Sequence, residues 1–189
     1  MGDGFVESVD DKTFLAIAAS QTATTFGVIH GEAIQVPIFE APGKTGVGKF
    51  GWKDQDPTIL SFSGDAYLNE MGVTNRLKPK DVTSVCKVTT DPEDKPDALG
   101  LADIDHFAQF IRGTQAPPRE TVLINGGAYT VPAALRNKGF HPYSDFLLHD
   151  VGTGDGIVQA GPADTANKLR TVPLWGLHIK SRFCMVTPR

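Results

Sequence analysis

Apolar residues recur with helical spacing in three stretches of the chain. The clearest is Asp103 to Arg112, where Ile104, Phe107, Ala108 and Ile111 fall at i, i+3, i+4 and i+7. Asp103 stands at its positive end, Arg112 at its negative end, and Gly113 with Pro117-Pro118 closes it. This pattern predicts a helix with Phe107 and Ile111 at the centre of a buried face. A second helix is predicted over Pro57 to Met71, capped by Thr58 or Ser61 and stopped by Gly72. A third runs through Phe14, Leu15, Ile17 and Ala18, with Asp10 or Asp11 as its N-cap. Alternation at Val28, Ile29, Ala33, Ile34 and Val36 suits a short strand or extended loop within Gly27 to Pro37. Pro42 to Gly51 reads as a glycine-rich loop and Lys78 to Gly100, with "DPEDKPD" at its centre, as an exposed loop. Ser144 to His149 is predicted as a short helix, and Ala163 to Leu169 adds one turn.

Composition agrees with a loop-rich chain. The 20 glycines and 13 prolines exceed the roughly 12% share usual in globular proteins. A net charge of −4 argues against a nucleic-acid or polybasic membrane binder. No run approaches the ~20 apolar residues of a membrane span, and the acidic start, Met-Gly-Asp-Gly, does not read as a signal peptide. By itself that would keep the chain in the cytoplasm.

Several motifs resemble chemistry without completing it. "GKTGVGKF" at Gly43 to Phe50 matches a P-loop except that Phe50 replaces the Mg²⁺-binding hydroxyl, so a flexible loop is the favoured reading. "GTGDG" at Gly152 to Gly156, with Asp150 and Asp155, is thin for a Ca²⁺ site wanting 6–8 oxygens, and a tight turn is the simpler expectation. The two cysteines, Cys86 and Cys184, cannot form CxxC, CxxCH or a four-thiolate zinc site. Cys86 lies near Lys80 and Lys87, which would favour its thiolate, though nothing local completes a Cys-His pair. The five histidines, His30, His106, His141, His149 and His178, make no H-E-x-x-H pair, and each alone is more readily structural than a ligand. Met71 carries a soft thioether suited to haem iron or copper, although a core methionine is the plainer reading.

Several long strings nevertheless carry a specific resemblance. They include "GDGFVESVDDKT", "VGKFGWKDQDPTILSFSGDAYLNEMGVTNRL", "DIDHFAQFIRGTQAPPRET", "INGGAYTVPAAL", "HPYSDFLLHDVGTGDGIVQAG" and "KLRTVPLWGL". From Gly2 to about Arg182 the chain resembles the di-haem oxidoreductase family, described as peroxidases or thiol oxidoreductases related to di-haem bacterial cytochrome c peroxidase.

The resemblance implies a mainly α protein with long irregular loops, the remains of two cytochrome-c-like domains. Residues 1–118 would be the first and 119–189 the second, with the boundary near Pro117-Pro118 to Leu123. It implies a periplasmic electron-transfer oxidoreductase with two haem c groups. Its partner would be a small-molecule oxidant or a redox protein. Met71 would be an axial ligand of the first haem, and His141 and His149 match histidines near the second. The departures are large. The chain has no CxxCH, the family's first attachment motif would precede "GDGFVE", and its second would fall where only Val122 and Leu123 remain. "RFCMVTPR" replaces the family tail and sets Cys184 and Met185 out of register with its methionine. A truncated copy without attached haem is therefore expected. The competing readings are a haem-free binding or structural remnant, with Ca²⁺ at Gly152 to Gly156, and a thiol enzyme built on Cys86.

Overall fold

The computed structural model describes residues 2–83, 85, 92–114 and 143–174, and the backbone of 123–124 and 127–128. Among these lie four helices: α1 (Asp3–Glu7), α2 (Asp11–Thr24), α3 (Ile59–Met71) and α4 (Asp103–Gly113). Three antiparallel strand pairs accompany them. They are β1 (Gln35–Pro37) with β2 (Thr45–Val47), β3 (Leu123–Ile124) with β4 (Gly127–Ala128), and β5 (Leu148–Asp150) with β6 (Lys168–Arg170). The described residues are thus mixed α/β rather than mainly α. The long irregular segments agree with the sequence reading.

The three predicted helices form where their caps place them. The Asp10 carboxylate accepts the Lys12 amide to open α2, and Thr58 Oγ1 accepts the Ser61 amide to open α3. Gly72, at φ 72°, closes α3 in the left-handed conformation that glycine adopts without strain. α4 is capped from a distance. Asp94, buried and not exposed as its loop suggested, accepts the Asp103 and Ile104 amides at 2.8 and 3.2 Å. Asp105 reaches back to the Ala102 amide at 3.0 Å. These carboxylates satisfy amides that a helix leaves free and sit where its dipole favours negative charge.

α4 packs on α3 and α1 through Ile104 and Ala108, both fully buried, with Ile111 half-buried beside them. Phe107 is not at the centre of that face. It is 38% exposed, with its ring centroid 6.0 Å from that of Tyr67. The helix is rolled so that Phe107 and Phe110 border a cavity instead of the core.

Ser144 to His149 is not helical. Ser144 Oγ accepts the Phe146 amide, and Asp145 Oδ1 accepts the Leu147 amide. Such local side-chain bonds compete with helix formation. Leu148 to Asp150 then pairs with Lys168 to Arg170, and Leu148 also bridges Glu32. The boundary expected near Pro117-Pro118 lies outside the described residues. Phe146 and Leu147, from beyond it, share one core with Val6, Phe14, Val47 and Ile59. The turn expected at Ala163 is a 3-10 turn over Ala163–Thr165. Among the described residues no helix is long and apolar enough to cross a membrane.

Candidate functional site

A cavity of about 410 Å³ lies where α1, α3 and α4 meet the turn that follows β2. Its walls are Phe50, Ile59, Phe62, Phe107, Phe110 and Ile111, with Gly51 and Thr114 beside them. Phe50 and Phe62 lean together at 6.3 Å between ring centroids, and Phe110 stands 63% exposed at its edge. Phe50 is buried at its base, while Phe107 and Phe110 are the open side, and an apolar concavity walled by aromatic rings suits an apolar ligand. Among the described residues, the charged ones of the lining are Asp3 and Arg170.

Arg170 comes from β6, and its side chain is 11% exposed. Its guanidinium carbon lies 5.3 Å from the Phe146 ring centroid, and Nη1 reaches the Gly51 carbonyl at 3.5 Å. Nε stands 3.4 Å from Asp54 Oδ1, close enough for attraction but without hydrogen-bond geometry, so both atoms lack a bond partner. Burial lowers the arginine pKa, and Asp54 only partly offsets it. Burial likewise pushes the Asp54 carboxyl well above the usual carboxylate range, against the pull of Arg170. Asp54 is also held at φ 51°, a left-handed conformation uncommon outside glycine. An ion pair this dry and this poorly aligned is incomplete, and it borders the cavity.

The turn from Phe50 to Asp56 carries these groups. It closes on itself through Phe50 and Asp56, whose amides each donate to the other's carbonyl at 2.9 and 3.2 Å. Gly48 lets it close, because a Cβ there would lie 1.8 Å from the Asp54 carbonyl oxygen. Lys53, at 1% exposure, anchors the turn to the far strand region. Its ammonium donates to the carbonyls of Thr165, Ala166 and Lys168 at 3.3, 2.9 and 2.7 Å and pairs with Asp155 at 2.9 Å.

The charged groups of two sequence motifs are engaged in the same region. Lys49, the lysine of the P-loop-like string, donates to the Glu7 and Val9 carbonyls and pairs with Asp11 at 2.9 Å. It is a structural clamp. In the Gly152 to Gly156 loop, Asp155 is engaged by Lys53, and the Asp150 carboxylate accepts the Gly152 amide. Among the described residues no three His, Cys, Asp or Glu side chains converge as a metal would need.

Of the sequence-named ligands, Met71 and His149 are among the described residues and stand on different elements. Met71 ends α3 and is 55% exposed. It lies about 18 Å along the helix from Ile59 of the cavity, at ~1.5 Å per residue. His149 stands on β5 with Nε2 2.7 Å from Asp145 Oδ2, so that nitrogen carries the hydrogen and only Nδ1 is left to ligate. Burial opposes ionisation of Asp145, but bonds from Thr171, Gln21, the Leu147 amide and His149 hold its carboxyl below the usual range. His141, His178, Cys86, Cys184 and Met185 lie outside the described residues. Sequence reading missed Arg170, Asp54, Asp56 and Lys53. The one signal present was a dense charged string, "WKDQD", beside a glycine-rich stretch.

The cavity suits part of a haem and not the rest. Its aromatic and aliphatic walls suit an apolar body, and Arg170 supplies a cation of the kind that pairs with carboxylates such as those at a porphyrin's edge. Among the described residues no histidine, methionine or cysteine lines it, and the sequence contains no CxxCH for thioether attachment. No family model, curated protein or solved structure matches the chain.

Proposed function

We propose that the chain derives from di-haem c-type electron-transfer oxidoreductases and retains the binding half of that chemistry, without covalent attachment. Its cavity would receive a flat apolar anion of the porphyrin class, held non-covalently. The observation that supports this reading most is that four phenylalanines and Arg170, a largely buried cation, line one cavity. The resemblance of the sequence supplies the ligand class.

The roles of the residues follow from their positions. Phe50, Phe62, Phe107 and Phe110 would bury the faces of the ring and exclude water. Arg170 would meet an edge carboxylate and exchange its poor contact with Asp54 for a charge-assisted bond. Asp3, also at the cavity, sets a limit, because a second carboxylate brought close to it would be repelled. The chemistry a haem supplies when bound is one-electron transfer at iron. No described side chain of the cavity offers iron a ligand, so turnover is not assigned to these residues. A periplasmic setting and a redox partner belong to the same proposal and rest on the resemblance alone.

Titration of the purified chain with haemin tests it. The expected result is a shifted Soret band saturating at one equivalent, removed by acid-acetone extraction and abolished when Ile111→Trp fills the cavity. Binding that is absent, or unchanged by Ile111→Trp in a folded variant, would overturn the proposal.

A further inference from the structure

We propose that Asp56 is a pH-sensitive latch on the cavity: held as the neutral acid it keeps the Phe50 to Asp56 turn closed, and its ionisation releases the turn. The inference concerns regulation of the cavity and rests on that cavity being a binding site.

Asp56 is 0% exposed, and neither of its carboxylate oxygens has a hydrogen-bond partner among the described residues. Its backbone is fully engaged. The carbonyl accepts the Lys49 and Phe50 amides, both at 2.9 Å, and the amide donates to the Phe50 carbonyl. The side chain is thus locked inside by the turn whose Phe50 and Gly51 form one wall of the cavity.

Nearby donors are engaged elsewhere. Thr58 and Ser61 hydroxyls each donate to Glu40, at 2.6 Å. The Lys49 ammonium is held by Asp11. The charges facing Asp56 from the packed elements are Asp65 of α3, Glu40 of the loop after β1, and Lys78 of the loop after α3. Two of the three repel a carboxylate. Lys78 is itself paired with Asp65 at 3.0 Å and sits over the Phe39 ring at 3.8 Å. On the turn itself, Asp54 faces Arg170 and Lys53 faces Asp155. An ionised, unpaired carboxylate cannot be held in such a place without several kcal/mol of desolvation cost. Burial, reinforced by Asp65, accordingly raises the Asp56 pKa to about 7.

Ionisation is relieved only if water reaches the carboxylate. Lys53 at the middle of the turn stays anchored by three carbonyls and Asp155, so the opening falls at the Phe50–Asp56 bridge, whose longer bond is the Asp56 amide to the Phe50 carbonyl at 3.2 Å. The movement is therefore local and displaces the Phe50 wall.

Trp52 lies on this turn and reports on it. In a Trp175→Phe background, acrylamide quenching of Trp52 and affinity for metal-free protoporphyrin are followed from pH 6 to 8.5. Quenching is expected to rise through one transition near neutral pH while protoporphyrin affinity falls about tenfold, equivalent to ~1.4 kcal/mol. Asp56→Asn should hold the acid-form values throughout. Asp65→Asn, which removes a repelling charge and frees Lys78, should move the transition to lower pH and decides the matter if Asp56→Asn does not fold. No transition, a transition surviving in Asp56→Asn, or an unmoved midpoint in Asp65→Asn would overturn the latch. A Trp52 transition without protoporphyrin binding at any pH supports the latch and sinks the cavity reading.

Discussion

Two arginine–carboxylate pairs flank the same cavity and differ in nearly every respect. Arg112 grips Glu7 with Nε and Nη2 at 2.6 and 2.8 Å, and Glu7 also accepts the Ile59 amide at 2.8 Å. That carboxylate joins α1, α3 and α4. Burial opposes its ionisation, but the arginine and the amide outweigh it, and its pKa is lowered. Arg170 and Asp54 are drier, farther apart at 3.4 Å and without bond geometry. There, burial prevails and the Asp54 pKa is raised. The first pair is complete and holds helices together. The second is a charged corner left unfinished beside an apolar cavity, which is the better place to look for function.

The largest effect expected on the unfinished side comes from its anchor. Lys53→Met removes a buried ammonium from three carbonyls and a carboxylate of the segment from Asp155 to Lys168, to which it ties the turn. It should cost about 5 kcal/mol, the upper end for breaking a buried charge network. Denaturant unfolding measures this; a loss below ~1 kcal/mol would mean the turn is not held there.

Next comes pH, where the two sides act with opposite sign. Asp56 binds its proton more tightly when folded, at about 7 against 3.8 unfolded. Stability should therefore fall as pH rises between those values, by on the order of 4 kcal/mol in total, and level off above. Glu7, with a lowered pKa, stabilises the fold above its unfolded value of 4.5 and loses that contribution as pH falls through the folded value. Unfolding of Asp56→Asn and Glu7→Gln across this range separates the two. A rise in stability from pH 4 to pH 7 that persists in Glu7→Gln would contradict the assignment of Asp56.

Double-mutant cycles give a smaller but more direct contrast. Glu7–Arg112 is partly exposed, so its coupling should be about 1 kcal/mol despite good geometry. Asp54–Arg170 lacks bond geometry, so its coupling should be smaller, about 0.5 kcal/mol, the lower end for groups in contact. Equal couplings would erase the distinction between the pairs. Smallest of all, Met71→Leu should change stability by less than ~0.5 kcal/mol, because the side chain is 55% exposed. A loss above that would mean its sulfur makes a contact the description above does not include.

What could be read from the sequence divides by the range of the interactions involved. α2, α3 and α4 announce themselves through local signals: Asp10, Thr58 and Gly72 act within a few residues of their own backbone. The Asp94 cap of α4 was invisible because it folds back from a proline-bearing loop that reads as solvent-exposed. Ser144 to His149 misled because an apolar run suits helix or strand equally, and pairing with Lys168 to Arg170 decides it. The candidate site was least legible. "GWKDQDP" looks like an exposed charged turn, and its burial depends on carbonyls more than one hundred residues away, at Thr165 to Lys168. Conversely, Met71 and His149 stand out in sequence, while the fold places them on different elements and outside the cavity lining.

On the proposed function, the unfinished corner binds and the finished one only holds. Fluorescence titration with metal-free protoporphyrin, comparing the unaltered chain with Arg170→Met and Arg112→Met, tests it directly. The expected result is one-to-one binding that weakens about tenfold in Arg170→Met and stays within about twofold in Arg112→Met. Absence of binding, or equal weakening in the two variants, would contradict it.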